Sequence, residues 1–261
     1  DTVDGRSAFE LIEAEGAMVW GETGLHRVSK GRQIASGAST VNDHNWKKPK
    51  VSLLSTKSAD EDGELEVYEY NVGFRKPDQG ARLAQLRLEA HRVPAKYLEG
   101  NSNVSTFEPG RVFNFIGSAQ PRFAGDYLLQ RVVHGFENGK FRKEGEGISY
   151  TNSFHAIPKD VVFRPPMVTK HPEIAGCHTG MVRGPAGEEI HTDAHGRHRT
   201  QFHWDREAVG SDEDSRWLRI MQEPATGMVL ARVGWEMSIA YINGDPDRPF
   251  GFARNINGVM A

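Results

Sequence analysis

One segment of the chain has a helical period. Pro77-Asp78 opens a run in which Leu83, Leu86, Ala90 and Val93 recur at spacings of three, four and three, with Arg82, Gln85 and Glu89 facing away, and Val93-Pro94 closes it. The pattern predicts a single helix whose narrow apolar face packs on a sheet or barrel. Elsewhere the period is two. Glu64 to Tyr70, Val112 to Ile116, Tyr127 to Val133 and Tyr150 to Ile157 are rich in β-branched and aromatic residues, and the last three, separated by Gly and Asn turns, predict an antiparallel set. The first 60 residues are broken by Gly16, Gly21, Gly24, Gly31 and Gly37 into short pieces such as Ala17 to Trp20, which predicts short strands and turns. Asn42 to Lys50 and the polar run Lys57 to Gly63 read as loops.

Pro158, Pro165, Pro166 and Pro172 make a stiff connector with little periodicity, and the domain boundary is placed there. Residues 1–163 form one expected domain, 164–173 the connector and 174–261 a second domain. Five short strand candidates follow the connector: Met181 to Arg183, Arg197 to Trp204, Trp217 to Met221, Glu236 to Ile242, and Phe250 to Arg254. Turn-forming clusters separate them, which predicts a small closed barrel of the OB-fold type. The fold class is therefore mainly β, with one packing helix in the first domain.

Composition narrows the function. With 32 Lys and Arg against 35 Asp and Glu, and no local excess of cations, the chain lacks the basic field that duplex nucleic acid requires. The single cysteine, Cys177, excludes a disulfide framework within the chain. The acidic start, Asp1 to Asp4, is unlike a signal peptide, and a cytoplasmic origin is expected. The absence of an initial Met suggests a piece of a longer polypeptide.

Seven of the 11 histidines fall between His155 and His203. On a helix, His191 and His195 would share one face, with Glu188, Glu189, Asp193 and Asp205 as nearby oxygen ligands. Asp193 to Gly196 has turn chemistry instead, and His198, Thr200 and Phe202 alternate with Arg199, Gln201 and His203 as in a strand. Histidines on opposite strand faces cannot share an ion, so surface and hairpin histidines are expected and no metal site is assigned. Cys177 and His178 are adjacent, which generally keeps their side chains apart. Gly145-Glu146-Gly147 begins like a dinucleotide loop, but Tyr150 stands where the third glycine belongs and a strand follows. No nucleophile elbow, Walker loop or zinc-protease helix is present, and Glu188-Glu189 and Asp205 with Glu207 read as solvated charges. No catalytic, cofactor-binding or metal residue is therefore nominated, and no cofactor is expected. In Gly244 to Pro249, Pro246 sets a turn and Asp245 is placed to bond back to the backbone, while Arg248 is placed to reach a carboxylate or a partner chain.

Several blocks occur in an order that resembles the VgrG spike proteins of the type VI secretion system, themselves similar to contractile phage tail hubs and spikes. They are Gly187 to Asp193, Gly196-Arg197, Gln201 to Arg206, Trp217 to Ile220, Arg232 to Glu236, and Gly244 to Pro249. Upstream, Tyr68 to Tyr70, Arg82-Leu83, Leu86 to Ala90, Pro109-Gly110, Tyr127 to Leu129 and Tyr150 to Pro158 extend the resemblance. Two departures stand out: Gln222 to Gly227 is short where the family has a longer loop, and His198-Arg199-Thr200 replaces a more aliphatic run.

The resemblance implies a tail-hub-like β-barrel domain, present here in part, followed by an OB-fold. It also implies a homotrimer seated on the Hcp tube, a β-helix needle and a PAAR-repeat tip, with baseplate components and effector proteins as partners. The needle and any effector extension are expected outside this chain. The implied role is structural: assembly in the cytoplasm, delivery into a target cell or medium, and no turnover. The alternatives are a spike bearing a downstream hydrolase, and a phage tail spike or OB module that binds oligonucleotide or glycan through Phe202, Trp204, Trp217 and Trp235.

Overall fold

The computed structural model describes residues 8–12, 23–117, 120–137, 149–225 and 227–259. The apolar piece Ala17 to Trp20 and the Gly145-Glu146-Gly147 turn lie outside these residues. The chain divides into two compact units, Asp1–Pro166 and Met167–Ala261, with the division inside the proline-rich connector. Among the described residues, no helix is long and apolar enough to cross a membrane.

The first unit contains, in chain order, β1 (Ala8–Phe9), β2 (Leu25–Arg32), β3 (Ala38–Asn42), β4 (Ser55–Ser58), β5 (Glu66–Tyr70), α1 (Pro77–Arg92), β6 (Lys96–Ser102), β7 (Val112–Phe115), β8 (Gly125–Glu137) and β9 (Ser149–Pro158). Six strands form one sheet in the order β1-β7-β8-β9-β6-β2, and the predicted antiparallel set is its β7-β8-β9 segment. The sheet curls until its ends meet. Leu11, just beyond β1, bridges Leu25 at the start of β2, with the Ile12 amide donating to the Leu25 carbonyl at 2.7 Å. Closure removes free strand edges.

The period-two alternation of β9 places Asn152, Phe154 and Ala156 inside the curl. There Phe9, Phe107, Phe113 and Phe154 meet mainly edge to face. β6, of sequence KYLEGNS, carries no β-branched residue and was not anticipated. It is a strand because β2 and β9 pair with it on both sides.

A second sheet, β4-β3-β5, packs with α1 around Val41, Leu53, Phe74 and Ala84. The helix is present as predicted, but its most buried residues are Gly80, Ala84 and Leu88, while Leu83, Leu86 and Ala90 are only partly buried. Small residues at i and i+4 let the helix approach Phe74 and Ser55 closely; a β-carbon on Gly80 would lie 2.6 Å from each. The polar run from Lys57 also differs from expectation, since Lys57 and Ser58 belong to β4.

The second unit contains β10 (His178–Arg183), β11 (His198–Phe202), β12 (Arg216–Ile220), β13 (Glu236–Tyr241) and β14 (Pro249–Asn255). They close in the order β10-β11-β12-β14-β13, with β12 and β14 parallel and the other pairs antiparallel. This is the predicted five-stranded OB-type barrel, and the strand bounds lie within two residues of those predicted except that β10 begins three residues earlier, at His178.

Candidate functional site

The barrel interior is small and partly polar. Val182, Leu218, Met237 and Ile239 are buried in it, and so are His198 and Thr200 from β11. Neither ring nitrogen of His198 and not the Thr200 hydroxyl has a hydrogen-bond partner within the protein. Burial alone drives the His198 pKa down to about 4, so the ring is neutral near pH 7. Two glycines make the room. A β-carbon at Gly251 would stand 2.8 Å from His198 Cε1, and one at Gly180 would stand 2.7 Å from Thr200 Cγ2. The expectation that His198 is a surface or hairpin histidine is thus corrected. The alternation of β11 was visible in the sequence and groups His198 and Thr200 with Phe202, but an imidazole and a hydroxyl carry no apolar signal, so their full burial was not.

The other histidines go separate ways. His191 Nδ1 meets Glu188 Oε2 at 2.9 Å, His195 is exposed in a turn, and His203 Nδ1 meets the Thr179 hydroxyl at 2.8 Å. Glu189 pairs with Arg232 at 2.8 Å. The turn chemistry of Asp193 to Gly196 appears as expected. Asp193 Oδ1 accepts the amides of His195 and Arg197, its Oδ2 accepts Arg197 Nε at 2.7 Å, and Gly196 takes φ of 67°. Burial opposes ionisation of Asp193, but the hydrogen bonds from Arg197 and His195 outweigh it and hold the carboxyl below its ordinary range. This hairpin sets β11 in register, with Thr192 bridging His198.

The Gly244 to Pro249 segment forms the tight turn predicted for it. Asp245 is buried, its Oδ1 accepts the Asp247 amide at 2.8 Å, and its Oδ2 faces Arg248 Nε at 3.2 Å. Arg248 therefore reaches a carboxylate of its own turn. Nearby Arg219 has its guanidinium pKa lowered by burial first and by the Arg248 cation second.

The aromatic residues considered for ligand stacking have different partners. Phe202 stacks on Trp204 with centroids 5.1 Å apart, and His178 meets both rings edge-on while its Nδ1 lies 2.7 Å from the Tyr241 hydroxyl. Trp217 lies beneath the guanidinium groups of Arg197 and Arg199, and Trp235 beneath that of Arg254 at 4.3 Å. Trp204 is mostly exposed. Cys177 is exposed, next to His178, whose ring is engaged by Tyr241.

Comparison with known proteins agrees with this architecture. The profile of the phage tail baseplate hub (GPD) family matches residues 6–140. Among sequence relatives, the type VI secretion system spike protein VgrG4b of Pseudomonas aeruginosa is 32% identical over 90% of this chain and 31% of its own length. The actin cross-linking toxin VgrG1 of Vibrio cholerae is 30% identical over 86% of this chain and 22% of its own. The chain thus spans a third or less of the length of these relatives. In fold, it is similar to the E. coli c3393 protein, described as a type VI secretion component with structural similarity to the T4 tail proteins gp27 and gp5. That match has a TM-score of 0.55 at 19% identity, over 95% of this chain and 49% of that one. The Francisella PdpA-VgrG complex matches with a TM-score of 0.54 at 5% identity, over 91% of this chain and 43% of that one. With a family profile that matches residues 6–140, taking in β1 to β8 of the curled sheet, the chain belongs to the phage tail baseplate hub family, and over most of its length it is similar to VgrG spike proteins.

Proposed function

We propose that this chain is part of a trimeric spike that adapts the Hcp tube of a contractile injection machine to a membrane-puncturing needle. In this reading residues 1–163 belong to the hub ring, 164–173 are the connector, and 174–261 are the OB barrel at the base of the needle. The observation that carries it is the succession, in one chain, of a sheet curled to closure and a closed barrel. Closed barrels transmit load without free edges, and three-fold symmetry is a means of matching a wide tube to a narrow spike. The spike assembles in the cytoplasm and is then expelled with the tube, with baseplate components holding it, a PAAR-repeat protein as its tip and effectors as its cargo. Its own work is mechanical, without turnover.

The test is the native mass of the intact gene product by light scattering, followed by co-purification with Hcp and a PAAR-repeat protein. A mass of three chains is expected; a stable monomer overturns the reading. A second reading, a spike that carries a toxic or hydrolytic domain further along, is favoured by the similarity to the actin cross-linking toxin. Sequencing the gene downstream of the codon for Ala261 tests it.

A further inference from the structure

One backbone contact determines where the segment leading into the barrel lies. The Ile174 amide donates to the Gly244 carbonyl at 2.8 Å. Gly244 has φ of 71°, and a β-carbon there would stand 3.3 Å from the Ile174 carbonyl oxygen, so the two stretches pack backbone to backbone. This packing carries His171, distant in sequence, to the side of Asp245 and Asp247. One ligand atom from each of the three lies within 4.8 Å of the other two, and among the described residues no other group of three His, Cys, Asp or Glu side chains is so placed.

The donor set is mixed, one imidazole and two carboxylates, and each member is available to a cation. His171 Nδ1 lies 3.0 Å from the Pro172 carbonyl. A carbonyl only accepts, so Nδ1 carries the proton and Nε2 presents its lone pair, the arrangement that orients metal-ligating histidines. Asp245 is held by the Asp247 amide and by Arg248 at 3.2 Å, yet each carboxylate oxygen keeps a second lone pair. Asp247 is 81% exposed, with Arg216 4.0 Å away.

Arg216 and Arg248 compete with a cation for the two carboxylates, and a salt-bridged turn accounts for Asp245 and Asp247 by themselves. It does not account for His171, whose ring joins them without pairing to either arginine. Ligand atoms on a tetrahedral ion with bonds near 2.1 Å are about 3.4 Å apart. The ligand atoms here lie within 4.8 Å of one another, so the group closes onto an ion by an inward shift, and two of its three members, His171 and Asp247, are exposed.

We propose that His171, Asp245 and Asp247 form a site for a divalent first-row transition cation of the zinc type, which staples the segment bearing His171 to the turn before β14. The nitrogen donor selects against magnesium and calcium, which take oxygen ligands. The site uses only residues of the second unit and stands whether or not the spike reading holds.

Zinc(II) titration of the chelator-treated chain by calorimetry, at neutral pH and moderate salt, tests the site, with cobalt(II) absorption as the spectroscopic probe. One zinc per chain is expected. His171→Gln and Asp247→Asn should each weaken binding at least tenfold, leave the melting temperature in chelator unchanged, and abolish the rise in melting temperature that zinc gives the unaltered chain. Cys177→Ser should bind as the unaltered chain does, and the cobalt spectrum should lack a thiolate charge-transfer band. Zinc binding that His171→Gln leaves intact, or no binding up to millimolar zinc, overturns the proposal.

Discussion

His198 and Gly251 face each other across the interior of the five-stranded barrel, so close that a β-carbon on Gly251 would stand 2.8 Å from Cε1 and 3.1 Å from Nε2 of the imidazole. Gly251→Ala should therefore destabilise the barrel by about 1–3 kcal/mol through overpacking. The penalty should shrink when His198 is replaced by Val in the same chain, since the smaller side chain vacates the contested volume. Urea midpoints for the two single variants and the double variant give the coupling. Additive effects would mean that the ring and the glycine are independent.

Acid should act on the same residue. The folded pKa of His198, about 4, lies below its ordinary 6.5, so the unfolded chain binds the extra proton between these values. Its contribution to stability is complete above pH 6.5 and is lost as the pH falls toward 4. At 1.36 kcal/mol per pH unit, the loss approaches about 3 kcal/mol. Stability measured by denaturant at pH 7.5, 6, 5 and 4.5 should fall more steeply for the unaltered chain than for His198→Leu. Parallel curves would exclude His198 as the source.

Thr200 is a milder case of the same burial. Its hydroxyl is fully enclosed with no partner in the protein. Thr200→Val keeps the shape and removes the buried polar atom, and should raise stability by about 1 kcal/mol. A drop of that size on calorimetric melting would show that the hydroxyl is satisfied.

In the first unit, Asp43 ties the end of β3 to the approach of α1. Its Oδ2 accepts the amides of Gly73 at 2.7 Å and Phe74 at 3.0 Å, and its Oδ1 accepts that of His44. Asp43→Ala should destabilise this unit by about 2–4 kcal/mol, because the buried Phe74 amide and the partly buried amides of Gly73 and His44 lose their acceptor, and Asp43→Asn should cost about half as much. Hydrogen exchange at Gly73 and Phe74 is the readout. Unchanged protection in the alanine variant would contradict the role assigned to Asp43.

Much of the architecture was legible in the sequence because local rules agree with the global fold there. The five barrel strands, the β7-β8-β9 set, the Asp193 hairpin and the Asp245 turn all carry period-two patterning or turn residues that leave few alternatives. Where tertiary pairing overrode local preference, the sequence was silent. β6 is a strand because its neighbours supply both sides of its hydrogen bonds. The helix turns the face of Gly80, Ala84 and Leu88 inward because the small Gly80 and Ala84 let it approach its neighbours closely, which leaves Leu86 on a flank.

Amino-acid order alone determined the class of the protein: mainly β, one helix, an OB-type barrel after a proline-rich connector, and ordered motifs of a spike family. Only the tertiary structure decided which polar residues became special. The alternation of β11 groups His198 and Thr200 with Phe202, but nothing local says that the two polar side chains are fully enclosed, and only glycines on other strands, Gly180 and Gly251, make the space that admits them. Likewise His171 and the Asp245 turn are far apart in the chain, and no spacing rule joins them. Their meeting depends on a backbone contact between Ile174 and Gly244, and chain closure of that kind is a property of the packed barrel and not of any segment within it.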